Sequence, residues 1–314
     1  MSEKEPILVI LGPTASGKTK LACGVCAEMN GEIISGDSRQ IYRYMDIGTG
    51  KDLSEYVVNG KKIPFHLIDI KDPGYKYNIA EFQQDFLKAF HEIKSRNKIP
   101  VLCGGSGLYM ETALRGNSFL GIESDPSFYE SMKEVSLEEI EKEIDALPEE
   151  IKSNLTVQTW HRKIRAIEIG RFLKKNPDWK PTLNPGFKEV IIGMDISREE
   201  RREKITLRLR ERLNSGLLEE AENLLRNHVS MEEMEYYGLE YKWLGKYLRG
   251  QISKEEMFES LNIAIHQFAK RQMTWFRKME NDGYKILWLD IHIPLEERIQ
   301  KVISIYKSEI NQSN

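Results

Sequence analysis

The 314-residue sequence predicts an α/β fold, a P-loop NTPase-like parallel sheet covered by helices and carrying an α-helical insertion domain. Three observations predict it. Short apolar runs alternate with helical patterns, the arrangement that gives a parallel sheet buried on both faces. The first run leads into Gly12-Pro13-Thr14-Ala15-Ser16-Gly17-Lys18-Thr19, with the G-x-x-x-x-G-K-[ST] spacing of a phosphate-binding loop. Between residues 118 and 185 the strand signal disappears and charged helical patterns take over.

Pro6–Leu11 is an apolar run of strand length, and Lys18–Cys26 reads as the helix after the loop. Gly12 and Gly17 allow the backbone angles and close approach that a side chain would block. The loop amides then face an anion, Lys18 adds a charge, the helix N-terminus completes the cradle, and the Thr19 hydroxyl can ligate Mg²⁺. A second strand, Glu32–Ser35, ends in Gly36-Asp37-Ser38-Arg39-Gln40. Strand C-terminal ends line the ligand crevice of a doubly wound sheet, so Asp37 should stand near the loop. There it is a Mg²⁺ ligand, a general base or, with Ser38, a helix cap. Phe65–Ile70 is a third strand, and Leu67-Ile68-Asp69 within it has the form of a Walker B acid. The helix Ile79–Arg96 follows, then the strand Ile99–Cys103, whose Gly104-Gly105 turn exposes Ser106 to the same crevice, then the helix Gly107–Leu114.

These elements and those from 186 onward define a core of residues 1–117 and 186–314, with residues 118–185 as the insertion. The insertion opens acidic, with eleven carboxylates against Lys133 and Lys142 from Glu123 to Glu150. It then turns basic at His161-Arg162-Lys163-Ile164-Arg165, on helical spacing, and returns to the sheet through Asn176–Pro181. After it come the strands Glu189–Asp195 and Lys285–Asp290, and long helical patterns over Arg198–Asn227 and Lys254–Met279. The last helix carries Lys270-Arg271-Gln272-Met273-Thr274-Trp275-Phe276-Arg277. Cations interleaved with aromatics suit a phosphate backbone with unstacked bases, but equally describe core aromatics flanked by surface cations.

A net charge of −3 does not advertise nucleic acid, whereas the clustering of the cations does. The apolar runs are strand-sized and the N-terminus has no charged-then-apolar leader pattern, so a cytoplasmic protein with no membrane span is expected. Cys23-x-x-Cys26 lies in a helix without a second ligand pair, which favours small helix residues in a reducing compartment over a metal site.

Five stretches in this order, GPTASGKTKLA, IISGDSRQIYRYMDIGTGK, HLIDIKDP, IPVLCGGSGLY and FAKRQMTWFRK, resemble the tRNA dimethylallyltransferase family across nearly the whole chain. The resemblance implies transfer of a dimethylallyl group from dimethylallyl diphosphate to N6 of the adenine next to the anticodon (position 37) of tRNAs reading codons that begin with U. It implies that Gly12–Thr19 hold the diphosphate with Mg²⁺ at Thr19, that Arg208 is the pyrophosphate arginine, and that Asp37 accepts the N6 proton. It implies anticodon stem-loop contacts at Asp37, Ser38, Arg39 and Gln40, at Ser106, near Tyr237-Gly238-Leu239, at His161–Arg165 and at Lys270–Arg277, made by a monomer. The sequence departs from the family in having Ser106 for the usual Thr and Gly50 for the Ala of Gly-Thr-Ala-Lys. A cation is also missing after Asp125-Pro126, the family's Arg-Ile-His-Pro-Asn-Asp stretch is absent before Arg162, and no Cys₂His₂ tail follows Asn281. Two alternatives use the same loop: prenylation of free adenine nucleotides, and a P-loop small-molecule kinase with Asp69 as its Walker B acid.

Overall fold

Alternate residues of the first strand, β1 (Glu5–Leu11), are buried on opposite faces, so this strand must lie in the middle of a sheet covered twice. The computed structural model describes residues 4–116, 119, 121–154, 159–180, 184 and 186–311. From β1 the chain runs through α1 (Lys18–Met29), β2 (Gly31–Ser35), a small antiparallel hairpin of β3 (Val57–Val58) and β4 (Lys61–Lys62), and β5 (Phe65–His66). It continues with α2 (Ile79–Ser95), β6 (Ile99–Gly104) and α3 (Gly107–Arg115). After the insertion come β7 (Phe187–Asp195), α8 (Arg198–Asn214), α9 (Leu217–Asn227), α10 (Leu239–Leu248), α11 (Lys254–Asn281), β8 (Ile286–Asp290) and α12 (Leu295–Asn311); within the insertion lie α4 (Pro126–Ser131), α5 (Leu137–Asp145), α6 (Glu149–Asn154) and α7 (Trp160–Lys175).

The sheet order is β5-β2-β6-β1-β7-β8, with every pair parallel, as expected of strands separated by helices. On one face Phe82, Phe86 and Phe90 of α2 pack with Leu261 and Phe276 of α11. On the other, Leu21 and Val25 of α1 meet Val302 and Ile303 of α12. Each fully buried Phe contributes about 1.5–3 kcal/mol in such a core.

Two expected elements are shorter. Only Phe65 and His66 pair with β2, because Leu67 (φ 63°) and Asp69 (φ 56°) turn left-handed and leave the extended path. The long pattern over Arg198–Asn227 is cut into α8 and α9 at Gly216, whose φ of 101° no helix interior accepts. The helix at Ile79 begins where Asn78 and Glu81 form a reciprocal capping box.

The chain divides into two compact units, Met1–Arg115 with Asn184–Asn314, and Gly116–Leu183. The boundary residues 117, 118 and 185 and the Pro181 end of the expected return segment lie outside the described residues. The second unit has its own core, built by Ile140 and Ile144 of α5 against Ile164 and Ile167 of α7. Burial of Ile164 therefore removes its side chain from the basic face assigned to it above. Arg165 is also committed internally: it donates to Glu168 and to the Ile122 carbonyl, and reaches the Glu123 carbonyl at 3.3 Å. Lys163 pairs with Glu141, whereas His161 and Arg162 are exposed.

Arg165→Ala should therefore lower the stability of the protein by about 1–2 kcal/mol, since it strips the nearly buried Glu168 carboxylate of its cation. Arg162→Ala, at an exposed position, should stay within about 0.5 kcal/mol of wild type in the same urea titration.

Candidate active site

The phosphate loop leaves β1 at Leu11 and enters α1 at Lys18. A Cβ on Gly12 would sit 2.8 Å from both the Met194 side chain and Ser16 Oγ, so the tight exit from the sheet requires glycine. Ala15 (φ 62°) and Gly17 (φ 78°) are left-handed and turn the loop around a hollow. Lys18 folds back over it, with Nζ 3.5 Å from the Pro13 carbonyl. Burial is the main reason that its ammonium pKa is lowered, and the nearby Arg208 adds to the effect. Ser16 Oγ is buried with no hydrogen-bond partner among the described residues. One loop amide is not free: Thr14 N–H donates to Oε1 of Gln272 at 2.9 Å.

The ends of β2 and β6 touch beside this loop. Gly36 N–H donates to the Cys103 carbonyl at 2.8 Å, and a Cβ on Gly104 would lie 2.6 Å from the Gly36 carbonyl oxygen. This close approach brings the Asp37 turn and the Ser106 turn to one cleft of about 770 Å³, together with Thr14, Lys18, Thr19, Arg39, Gln40 and Arg208. Asp37 Oδ1 accepts from Arg39 N–H at 2.9 Å, so the carboxylate closes an Asx turn as well as facing the cleft.

Gly48, Thr49, Gly50 and Asp52 line the cleft from an irregular segment, residues 42–52, that two charged side chains fix. Lys51 is fully buried and donates to the Tyr42 carbonyl (2.7 Å), to Asp46 (2.6 Å) and to Asp69. Glu220 of α9 accepts three consecutive amides, Asp46, Ile47 and Gly48, each at 2.8 Å, and the Tyr241 hydroxyl at 2.7 Å. Asp69 is thus a partner of a structural lysine, which removes it from the Walker B role that the kinase alternative gives it.

α8 closes the cleft with Arg208, ion-paired to Asp52. From α11, Arg271 and Gln272 face the cleft, and Gln272 ties Thr14 N–H to the Gly105 carbonyl, its Nε2 donating at 2.8 Å. The rest of the α11 cluster is mixed. Phe276 is fully buried against the sheet, so its ring is core and is not offered to RNA. Trp275 is half-buried, with its indole N–H on Glu111 at 3.1 Å and its ring where a Cβ on Gly107 would be. Met273 is half-buried, Thr274 bonds back to the Lys270 carbonyl, and Lys270 and Arg277 are exposed.

The donor set suits Mg²⁺. Among the described residues no group of three or more His, Cys, Asp or Glu side chains forms a protein cage. The cleft instead offers the Thr19 hydroxyl with the Asp37 and Asp52 carboxylates nearby. Mg²⁺ keeps several waters and binds through few protein oxygens plus substrate phosphates, so this sparse set fits it. Cys23 and Cys26 are buried, free thiols whose pKa values burial pushes up, which leaves them as packing residues.

A family profile described as IPP transferase matches residues 40–279. The chain belongs to that family. It is 49% identical over 304 residues to tRNA dimethylallyltransferase 2 of Phocaeicola vulgatus, covering 96% of this chain and 98% of the relative. It is 50% identical over 304 residues to tRNA dimethylallyltransferase 1 of Parabacteroides distasonis, covering 97% and 98%. The crystal structure of the full-length tRNA isopentenylpyrophosphate transferase of Bacillus halodurans superposes with a TM-score of 0.70 at 29% identity, over 99% of both chains. A eukaryotic dimethylallyltransferase acting on tRNA shares the fold, with a TM-score of 0.79 at 21% identity over 98% of this chain and 80% of that one.

Lys51→Met should cost about 1–3 kcal/mol of stability, because two carboxylates and a carbonyl lose their donor together. Chemical denaturation checks the loss, and the variant's activity should fall further than its folded fraction does, since the cleft wall loosens.

Proposed function

We propose that this family member transfers a dimethylallyl group from dimethylallyl diphosphate to N6 of the adenine beside the anticodon of tRNA, in tRNAs reading codons that begin with U, as a cytoplasmic monomer. The observation that carries the reading is the shared cleft: the phosphate loop and the Asp37 carboxylate face one space, in a chain whose relatives are named tRNA dimethylallyltransferases. The C–O bond of dimethylallyl diphosphate breaks as its carbon bonds to N6, and the diphosphate leaves as pyrophosphate with the electron pair on oxygen. That growing negative charge needs cations, and Lys18 and Arg208 line the cleft beside the loop. Bound through the Thr19 hydroxyl, Mg²⁺ would neutralise part of the same charge.

The acceptor is a weak nucleophile, because the N6 lone pair is delocalised into the purine. As the carbon–nitrogen bond forms the nitrogen must shed a proton, and Asp37, a cleft carboxylate at the end of β2 beside the phosphate loop, can accept it. A base in a stacked stem-loop cannot reach so recessed a group, so the adenine must turn out of its stack. Arg39, whose guanidinium lies 5.1 Å from the Tyr236 ring centre, and Ser106 and Arg271 form the polar rim it would pass. His161 and Arg162 in the second unit, and Lys270 and Arg277 on α11, are exposed cations suited to RNA phosphate. The kinase alternative loses its acid at Asp69, which supports a diphosphate donor over a triphosphate.

Incubation with dimethylallyl diphosphate, Mg²⁺ and either unmodified tRNA or AMP tests the reading: prenylated tRNA and unmodified AMP are expected, with no ATP consumed. Prenylated AMP would instead favour the free-nucleotide reaction, and acceptor-stimulated ATP hydrolysis would restore the kinase. Asp37→Ala should reduce single-turnover transfer by about 10²-fold or more while tRNA affinity stays near wild type. Lys18→Ala should weaken dimethylallyl diphosphate binding and slow transfer together.

A further inference from the structure

Arg212 enters the cleft one helical turn beyond Arg208, on the same face of α8. It stands close to the loop: Thr14, Ala15, Arg208 and Arg212 line a small recess together with Ile205, Leu209 and Ile265. Its side chain is 15% exposed, and its one ionic partner among the described residues, Glu240, is 3.8 Å away, beyond hydrogen-bond reach. Arg208, by contrast, is paired directly to Asp52. Burial, then the neighbouring Arg208, lowers the Arg212 pKa, although a guanidinium remains charged at any ordinary pH.

Gly50 shows how closely the two guanidiniums converge. A Cβ there would come 1.9 Å from Nη2 of Arg212 and 3.1 Å from Nη2 of Arg208, so both nitrogens bracket one point. An alanine here would meet the Arg212 guanidinium and would itself be strained at a φ of 64°. Two like charges held together, one of them without a hydrogen-bonded carboxylate, are a poor arrangement unless an anion joins them.

We propose that Arg212 is a second guanidinium for the departing diphosphate, admitted to the cleft by Gly50 and held in reserve by Glu240. This rests on the dimethylallyl diphosphate reading above. As the C–O bond breaks, Arg208 and Arg212 together meet the charge accumulating on the pyrophosphate oxygens, from the side of the cleft facing Thr14 and Ala15.

Inorganic pyrophosphate is the probe, titrated into the intact protein with Mg²⁺ by calorimetry. Arg212→Gln should weaken its binding roughly tenfold or more, the loss expected for a charged hydrogen bond, with a higher KM for dimethylallyl diphosphate and a lower kcat. tRNA affinity and its salt dependence should not change. Arg212→Lys keeps the charge and should recover part of the pyrophosphate affinity that Arg212→Gln loses. Wild-type affinity for pyrophosphate in Arg212→Gln would overturn the proposal and leave the diphosphate reading standing. A flattened salt slope for tRNA would reassign Arg212 to an RNA phosphate. Failure of the wild-type protein to bind pyrophosphate would overturn the reading of the cleft and this proposal together.

Discussion

An ammonium group taken fully out of water costs several kcal/mol unless acceptors replace its hydration, and the cleft wall is organised around meeting that demand at Lys51. The acceptors come from three places along the chain, the Tyr42 carbonyl, Asp46 and Asp69, so satisfying one cation fixes three backbone positions. Glu220 does the reverse from α9, placing one carboxylate in a nest of three successive amides. The segment from Tyr42 to Asp52 has almost no ladder of its own. The Lys51 cation and the Glu220 anion together give it a single shape, and Gln40 adds a donor bond to the Gly50 carbonyl.

The other side of the cleft is joined by an amide. Gln272 accepts from Thr14 in the phosphate loop and donates to Gly105 in the turn that presents Ser106. The phosphate loop and the turn that presents Ser106 are therefore linked through one buried side chain of α11. Displacing either end leaves a buried donor or acceptor unpaired, so the two subsites keep their spacing. Close glycine contacts do the same at shorter range, with Gly36 and Gly104 letting β2 and β6 end against each other.

Much of this was legible in the sequence. The sheet's strands announce themselves as apolar runs, and the phosphate loop by its spacing, because both are local patterns. β5 read too long since the left-handed residues Leu67 and Asp69 are ordinary letters that carry no local warning. Asp37, Ser106 and Arg208 do meet at one cleft. Lys51, Glu220 and Arg212 were missed because their importance lies in partners far along the chain, and the spacing of charges cannot disclose burial. The basic stretches misled in the opposite sense: Ile164 and Phe276 are core, and Arg165 is a clasp within its own unit. A glutamate three residues after Arg165 was a visible sign of that pairing.

The bonds that complete the cleft span great lengths of chain. Thr14 waits for Gln272, Asp52 for Arg208, and the amides of Asp46 to Gly48 for Glu220. A ribosome making this chain therefore releases the phosphate loop long before the helix that caps it. The N-terminal strands can collapse early, but the loop's amide remains without its cap until α11 has emerged. Competence is thus acquired late and all at once, so that a prematurely ended chain would lack the cap that sets its phosphate loop.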